Sequence, residues 1–77
     1  MLSDWEDRIT VDPKILVGKP VIKGTRLSVE FVLGLLANGW SVEQILDAYS
    51  ELKREDIIAA LKYAVEMVKE EKVYPLA

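Results

Sequence analysis

The chain lacks both cysteine and histidine. No disulfide and no thiolate metal site can form, and the commonest general base and metal ligand are missing together. A serine would therefore find no imidazole to activate it. Long apolar runs are also lacking. None approaches the roughly 20 residues that span a bilayer, and the acidic opening MLSDWEDR is unlike a secretory signal. Positive charge is not in excess: 10 Lys and Arg stand against 13 Asp and Glu, a net charge of −3. That balance argues against a strong non-specific hold on nucleic-acid phosphates. With 77 residues the chain makes one domain, residues 1–77, whose core is small. Close packing or oligomerisation is expected to complete it. The expectation is a cytoplasmic protein with no enzymatic activity, cofactor or metal.

The stretch SVEQILDAYSELKREDIIAAL, residues 41–61, organises the rest. Ser41 and Gln44 have the spacing of a capping box. Val42, Ile45, Leu46 and Tyr49 follow as one apolar stripe at helical spacing. The pattern breaks at Ser50-Glu51-Leu52-Lys53 and restarts at Ile57, Ile58 and Leu61. Glu55 and Asp56 fall in the new first turn, where negative charge suits the helix dipole. So short a connection implies a helix-turn-helix or an αα-hairpin.

Before this pair, residues 1–8 read as a polar lead-in with one aromatic, Trp5. Ile9-Thr10-Val11 alternates and is β-branched, as a short strand would be. Asp12-Pro13 ends it. Lys14 to Val17 fit one helical turn, Gly18-Lys19-Pro20 a bend, and Val21-Ile22-Lys23 a second strand, stopped by Gly24. Ser28 caps a first helix with Val29, Val32, Leu35 and Leu36 on its buried side, and Asn38-Gly39 closes it. The second helix runs from about Val42 to Tyr49. The third starts near Arg54 and extends to Lys72. Residues 9–26 thus hold the strand pair, 28–72 a three-helix core, and 73–77 a tail.

The third helix carries two apolar stripes. Ile57, Ile58, Leu61, Val65 and Val68 are expected to face the other helices. Ala60, Tyr63, Met67 and Tyr74 lie on a shoulder, covered either by the N-terminal strands or by a dimer or other partner. Val73, Tyr74 and Leu76 in the tail either dock on a partner or fray.

Catalysis finds little support. The carboxylates fall on helix surfaces and first turns, Ser28 and Ser41 are explained as caps, and GKPVIKG lacks the GK[ST] of a phosphate loop. DNA binding would place its contacts at Lys53, Arg54, Lys62 and Lys23, with Lys53 and Arg54 opening a reading helix. Glu55 and Asp56 beside them would repel phosphates. A dimer would instead gather Lys14, Lys19, Lys23 and Arg26 into a basic patch. The segment Gly18-Lys19-Pro20-Val21-Ile22-Lys23-Gly24-Thr25-Arg26 is unusually defined for a connector. Gly24 permits a tight bend and Thr25 bonds locally. Arg26 either binds backbone carbonyls, tying strand to helix, or reaches a partner's carboxylate.

ITVDP, GKPVIKGTR, the helix ending at NGWS, EQILDAY and DIIAALKYA together resemble the small bacterial and archaeal family called domain of unknown function 433. The likeness runs from Ile9 to about Val68. Its family-motif positions here are Gly18, Lys19, Pro20, Gly24, Thr25 and Arg26. The resemblance implies a mainly helical fold: a homeodomain-like three-helix core with a short N-terminal strand pair, commonly dimeric. It also implies kinship with VapB-like antitoxins of type II toxin–antitoxin pairs, encoded beside a PIN-like ribonuclease-type protein. Such a protein would bind and neutralise the toxin, covering an acidic, metal-holding site or offering it a cation, and would bind operator DNA as a homodimer. The alternatives are a stand-alone helix-turn-helix regulator and a structural dimerisation module. Where the family has Pro after the tyrosine of helix two and Thr or Ser capping helix three, this chain has Ser50 and Lys53. Lys53 is a poor cap, so a frayed or displaced start to helix three is expected.

Overall fold

Ile9 pairs with Ile22, Thr10 with Val21 and Val11 with Pro20, so that β1 (Ile9–Val11) and β2 (Pro20–Ile22) form an antiparallel ribbon. The ribbon is followed by three helices, α1 (Val29–Ala37), α2 (Val42–Ala48) and α3 (Arg54–Glu70). This computed structural model describes residues 4–14 and 18–70. The expected helical turn at Lys14–Val17, the end of the third helix toward Lys72 and the tail with Tyr74 lie wholly or partly outside them.

Two strands alone would be marginal. Here the ribbon is held by its apolar side chains: Ile9, Val21 and Ile22 are all buried. Lys23-Gly24-Thr25-Arg26 then turns the chain back. The Ile22 amide donates to the Leu27 carbonyl at 3.0 Å. Thr25 Oγ1 donates to the Ile22 carbonyl at 2.9 Å and accepts from the Leu27 amide at 3.0 Å. Gly24 takes φ +82°, a conformation that costs a side-chain-bearing residue. Ser28 follows directly and caps α1 by accepting from the Phe31 amide. The motif thus folds as strand, turn and cap.

Val29 and Val32 of α1, Ile45 of α2, and Ile57, Ala59 and Ala60 of α3 meet Ile9 and Ile22 in one core. Leu35 and Leu36 are half-buried against it. Gly39, at φ +91°, ends α1 as expected. The Ser41–Gln44 capping box closes in both directions, at 3.1 and 2.7 Å. Leu52, in the short connection from α2 to α3, is buried and pins that turn to the core.

Two expectations are corrected. Residues 4–7 are not a lead-in but a 3-10 turn that packs on α3 through Trp5. The start of α3 is neither frayed nor displaced. Lys53 offers no side-chain acceptor, yet Asp56 reaches back from the first turn and accepts from the Lys53 amide at 2.9 Å. The acid supplies the reciprocal half of a capping box, and its charge suits the dipole.

Candidate protein-docking surface

Helix α3 has two apolar faces, and they are disposed the other way round from the expectation. Ala60, expected on a shoulder covered either by the N-terminal strands or by a partner, is completely buried within the chain. Tyr63, expected beside it, is half-buried and meets Trp5 edge-on, with ring centroids 4.9 Å apart and planes at 89°. Met67 is half-buried. Ile57 does face inward. Ile58, Leu61, Val65 and Val68, expected in the core, instead remain 45%, 45%, 46% and 59% exposed. The physical reason is shape. Small Ala59 and Ala60 let α3 approach the other helices closely, and Trp5 needs a broad partner, which Tyr63 provides. Helical periodicity reveals that two stripes exist without saying which is covered.

The exposed row has its own regularity. Its spacing is 3, 4 and 3 residues, the spacing of a coiled-coil seam. At 1.5 Å per residue, Ile58 to Val68 spans about 15 Å. Ala60 lies about 200° around the helix from Ile58, so the row points away from the core. Beside the row's first turn is a groove of 260 Å³ lined by Trp5, Arg8, Glu55, Ile58, Ala59 and Lys62. The buried Trp5 Nε1 on this side finds no acceptor among the described residues.

Asp56 connects α3 to the N-terminal turn. Its carboxylate is almost fully buried and accepts from Arg8 Nη1 at 2.9 Å, while its other oxygen caps α3. Arg8 keeps 37% of its side chain exposed and also lines the groove. Asp56, read in the sequence only as a dipole charge, is therefore the electrostatic link between residues 4–8 and the helix. Nothing local announces it, because its partner lies 48 positions away.

The candidate DNA contacts do not form a free basic surface. Arg54 Nη2 donates to Glu43 Oε2 of α2 at 2.8 Å. That hydrogen bond, with Glu43's own backbone amide and the Arg54 charge, holds the exposed Glu43 carboxyl below its ordinary value. Lys23 lines a second groove together with Asp7, Arg8 and Asp56. Lys62 stands beside Glu55 in the first groove, and Lys53 is exposed at the head of α3. Of the motif positions, Lys19 pairs with Glu30 of α1 at 3.0 Å on the surface. Gly18 and Gly24 hold positive φ. Arg26 is exposed and binds no carbonyl or carboxylate among the described residues, so the carbonyl-binding role expected of it is not seen.

Among the described residues no three potential metal-ligating side chains are gathered, and no helix is long and apolar enough to cross a membrane. What the fold defines is a small, mainly helical domain with a strand ribbon and one outward apolar helix face. The chain belongs to the family described as Protein of unknown function (DUF433), whose model matches residues 9–64. An uncharacterized protein of Sinorhizobium fredii, y4eO, is 45% identical over 63 residues, which is 82% of this chain and 28% of that protein. An uncharacterized protein of Archaeoglobus fulgidus is 62% identical over 24 residues, 31% of this chain and 67% of the other. The crystal structure of a DUF433 member from Anabaena variabilis has the same fold: TM-score 0.77 at 23% identity, over 90% of this chain and 68% of that one. The chain thus spans little more than a quarter of the Sinorhizobium relative.

Proposed function

We propose that the chain is a non-enzymatic, antitoxin-type binding module that associates with protein through the outer face of α3. The row Ile58, Leu61, Val65, Val68 carries this reading. Single exposed aliphatic residues are ordinary on a surface, but a regular row of them opposite the core marks an interaction site. The absence of His and Cys, and the surface or structural placement of the described carboxylates, support a binding role over a catalytic one. The antitoxin resemblance supplies the partner class, a PIN-like ribonuclease-type toxin encoded alongside, with homodimerisation as part of the same behaviour. Operator binding is the weaker reading, since Arg54 is engaged by Glu43 and Lys23 stands among acids. The test is co-expression with the product of the adjacent gene. Wild-type chain should co-purify with that product and suppress its nuclease activity, and Leu61→Glu should do neither. If the wild-type chain captures nothing and nuclease activity is unchanged, the antitoxin reading fails. A salt-dependent shift of upstream DNA, lost in Lys53→Glu/Arg54→Glu, would favour the regulator instead.

A further inference from the structure

We infer that the outer face of α3 is covered by a second copy of this chain, laid antiparallel about a two-fold axis that passes between Leu61 and Val65. This rests on the reading of that face as a docking surface and names what covers it when no toxin is bound. The row is self-complementary: in antiparallel pairing Ile58 meets Val68 of the second copy, and Leu61 meets Val65, so the four apolar layers fill without a gap. The 3-4-3 spacing keeps that register over the whole row, and the inner face of each α3 stays on its own core.

Charge selects both the occupant and its direction. One edge of the row carries Glu55, Lys62 and Lys69 at seven-residue intervals, with Glu55 and Lys69 both exposed. Antiparallel pairing sets Glu55 beside Lys69 of the second copy, and symmetry makes that contact twice. Parallel pairing would bring like ends together and align the two helix dipoles unfavourably. Lys62 falls near the axis opposite its own copy, and it has a partner within its own chain. The other edge holds Ala64 and the inward-facing Ile57, so small or withdrawn side chains there let the helices approach closely.

A seam of about two heptads is short for a permanent interface, so a reversible dimer is expected, dissociating on the order of 10–100 µM. Sedimentation equilibrium from about 10 µM to about 1 mM tests it. The weight-average mass should climb from 8.7 kDa toward twice that value. Leu61→Glu, confirmed folded by circular dichroism, should stay at the single-chain mass throughout. Val68→Glu, at the most exposed position, serves if Leu61→Glu does not fold. Glu55→Lys and Lys69→Glu should each weaken the dimer a few-fold, and the double exchange should restore it. A mass fixed at one chain, a dimer indifferent to both Glu variants, or a double exchange no better than either single one overturns the inference. A monomer that still captures the adjacent gene's product through Leu61 removes the second copy and leaves the proposed function standing. A dimer that captures nothing does the reverse.

Discussion

Asp56 has the most consequences of any single residue. One carboxylate oxygen holds Arg8 and the other holds the Lys53 amide. Asp56→Ala would leave that amide without its cap and a part-buried guanidinium without its counter-ion. A loss of about 2–3 kcal/mol in urea-unfolding stability is expected. Asp56→Asn retains an oxygen for the amide and should cost less. Equal losses in the two variants would show that the bond to the Lys53 amide matters little and that the Arg8 charge carries the effect. Glu43 is the residue-scale pH probe. Its folded carboxyl is held below the ordinary 4.5 by Arg54, so its contribution is present above the unfolded value and is lost as pH falls through the folded one. Stability of Glu43→Gln should therefore match wild type more closely at pH 3 than at pH 6. A larger gap at the lower pH would contradict the assignment. Of these residues, the sequence makes Asp56 legible as a first-turn acid because that role is local. Its tie to Arg8 depends on the packing of a turn 48 residues earlier, which no local pattern encodes.

At the scale of elements, signals carried by a residue and its near neighbours are the readable ones. Ser28, Ser41 with Gln44, and Gly39 mark helix ends, and the helices begin and end there. β1 falls where the β-branched run lies, and β2 is displaced by one residue because Pro20, which has no amide to donate, still fits at the ribbon's edge. The 3-10 turn was not legible: Asp4–Asp7 has no periodicity, and its order comes from Trp5 resting on Tyr63. Trp5→Ala should uncover that part of α3 and cost about 2–3 kcal/mol, less than a fully buried tryptophan would. Thermal unfolding measures it, and an unchanged midpoint would mean the turn is not part of the cooperative unit. Gly24 tests the motif turn in the same way. Nothing lies within 4 Å of an added Cβ there, so Gly24→Ala isolates the backbone cost of φ +82°. A loss of about 1–2 kcal/mol is expected. No loss would mean the turn relaxes, and the structural account of GKPVIKGTR would fail.

The whole molecule is decided by which face of α3 its own core takes. The amino-acid pattern shows an excess of apolar surface on that helix, and this is legible because it needs only counting and spacing. Which stripe is left over is not, since Ile58 and Leu61 are more hydrophobic than Ala60 and would be assigned inward on side-chain character alone. Packing favours the closer approach that Ala59 and Ala60 permit. The surplus therefore stands on Ile58, Leu61, Val65 and Val68, and self-association through them is the central claim. The most direct measurement is an amide chemical-shift map of the labelled chain across a dilution series. Concentration-dependent shifts should concentrate on residues 55–69 of α3 and leave Phe31 of α1 and Trp40 of the connection between α1 and α2, both exposed, unmoved. Shifts centred on Phe31 and Trp40, or none anywhere up to the solubility limit, would contradict it.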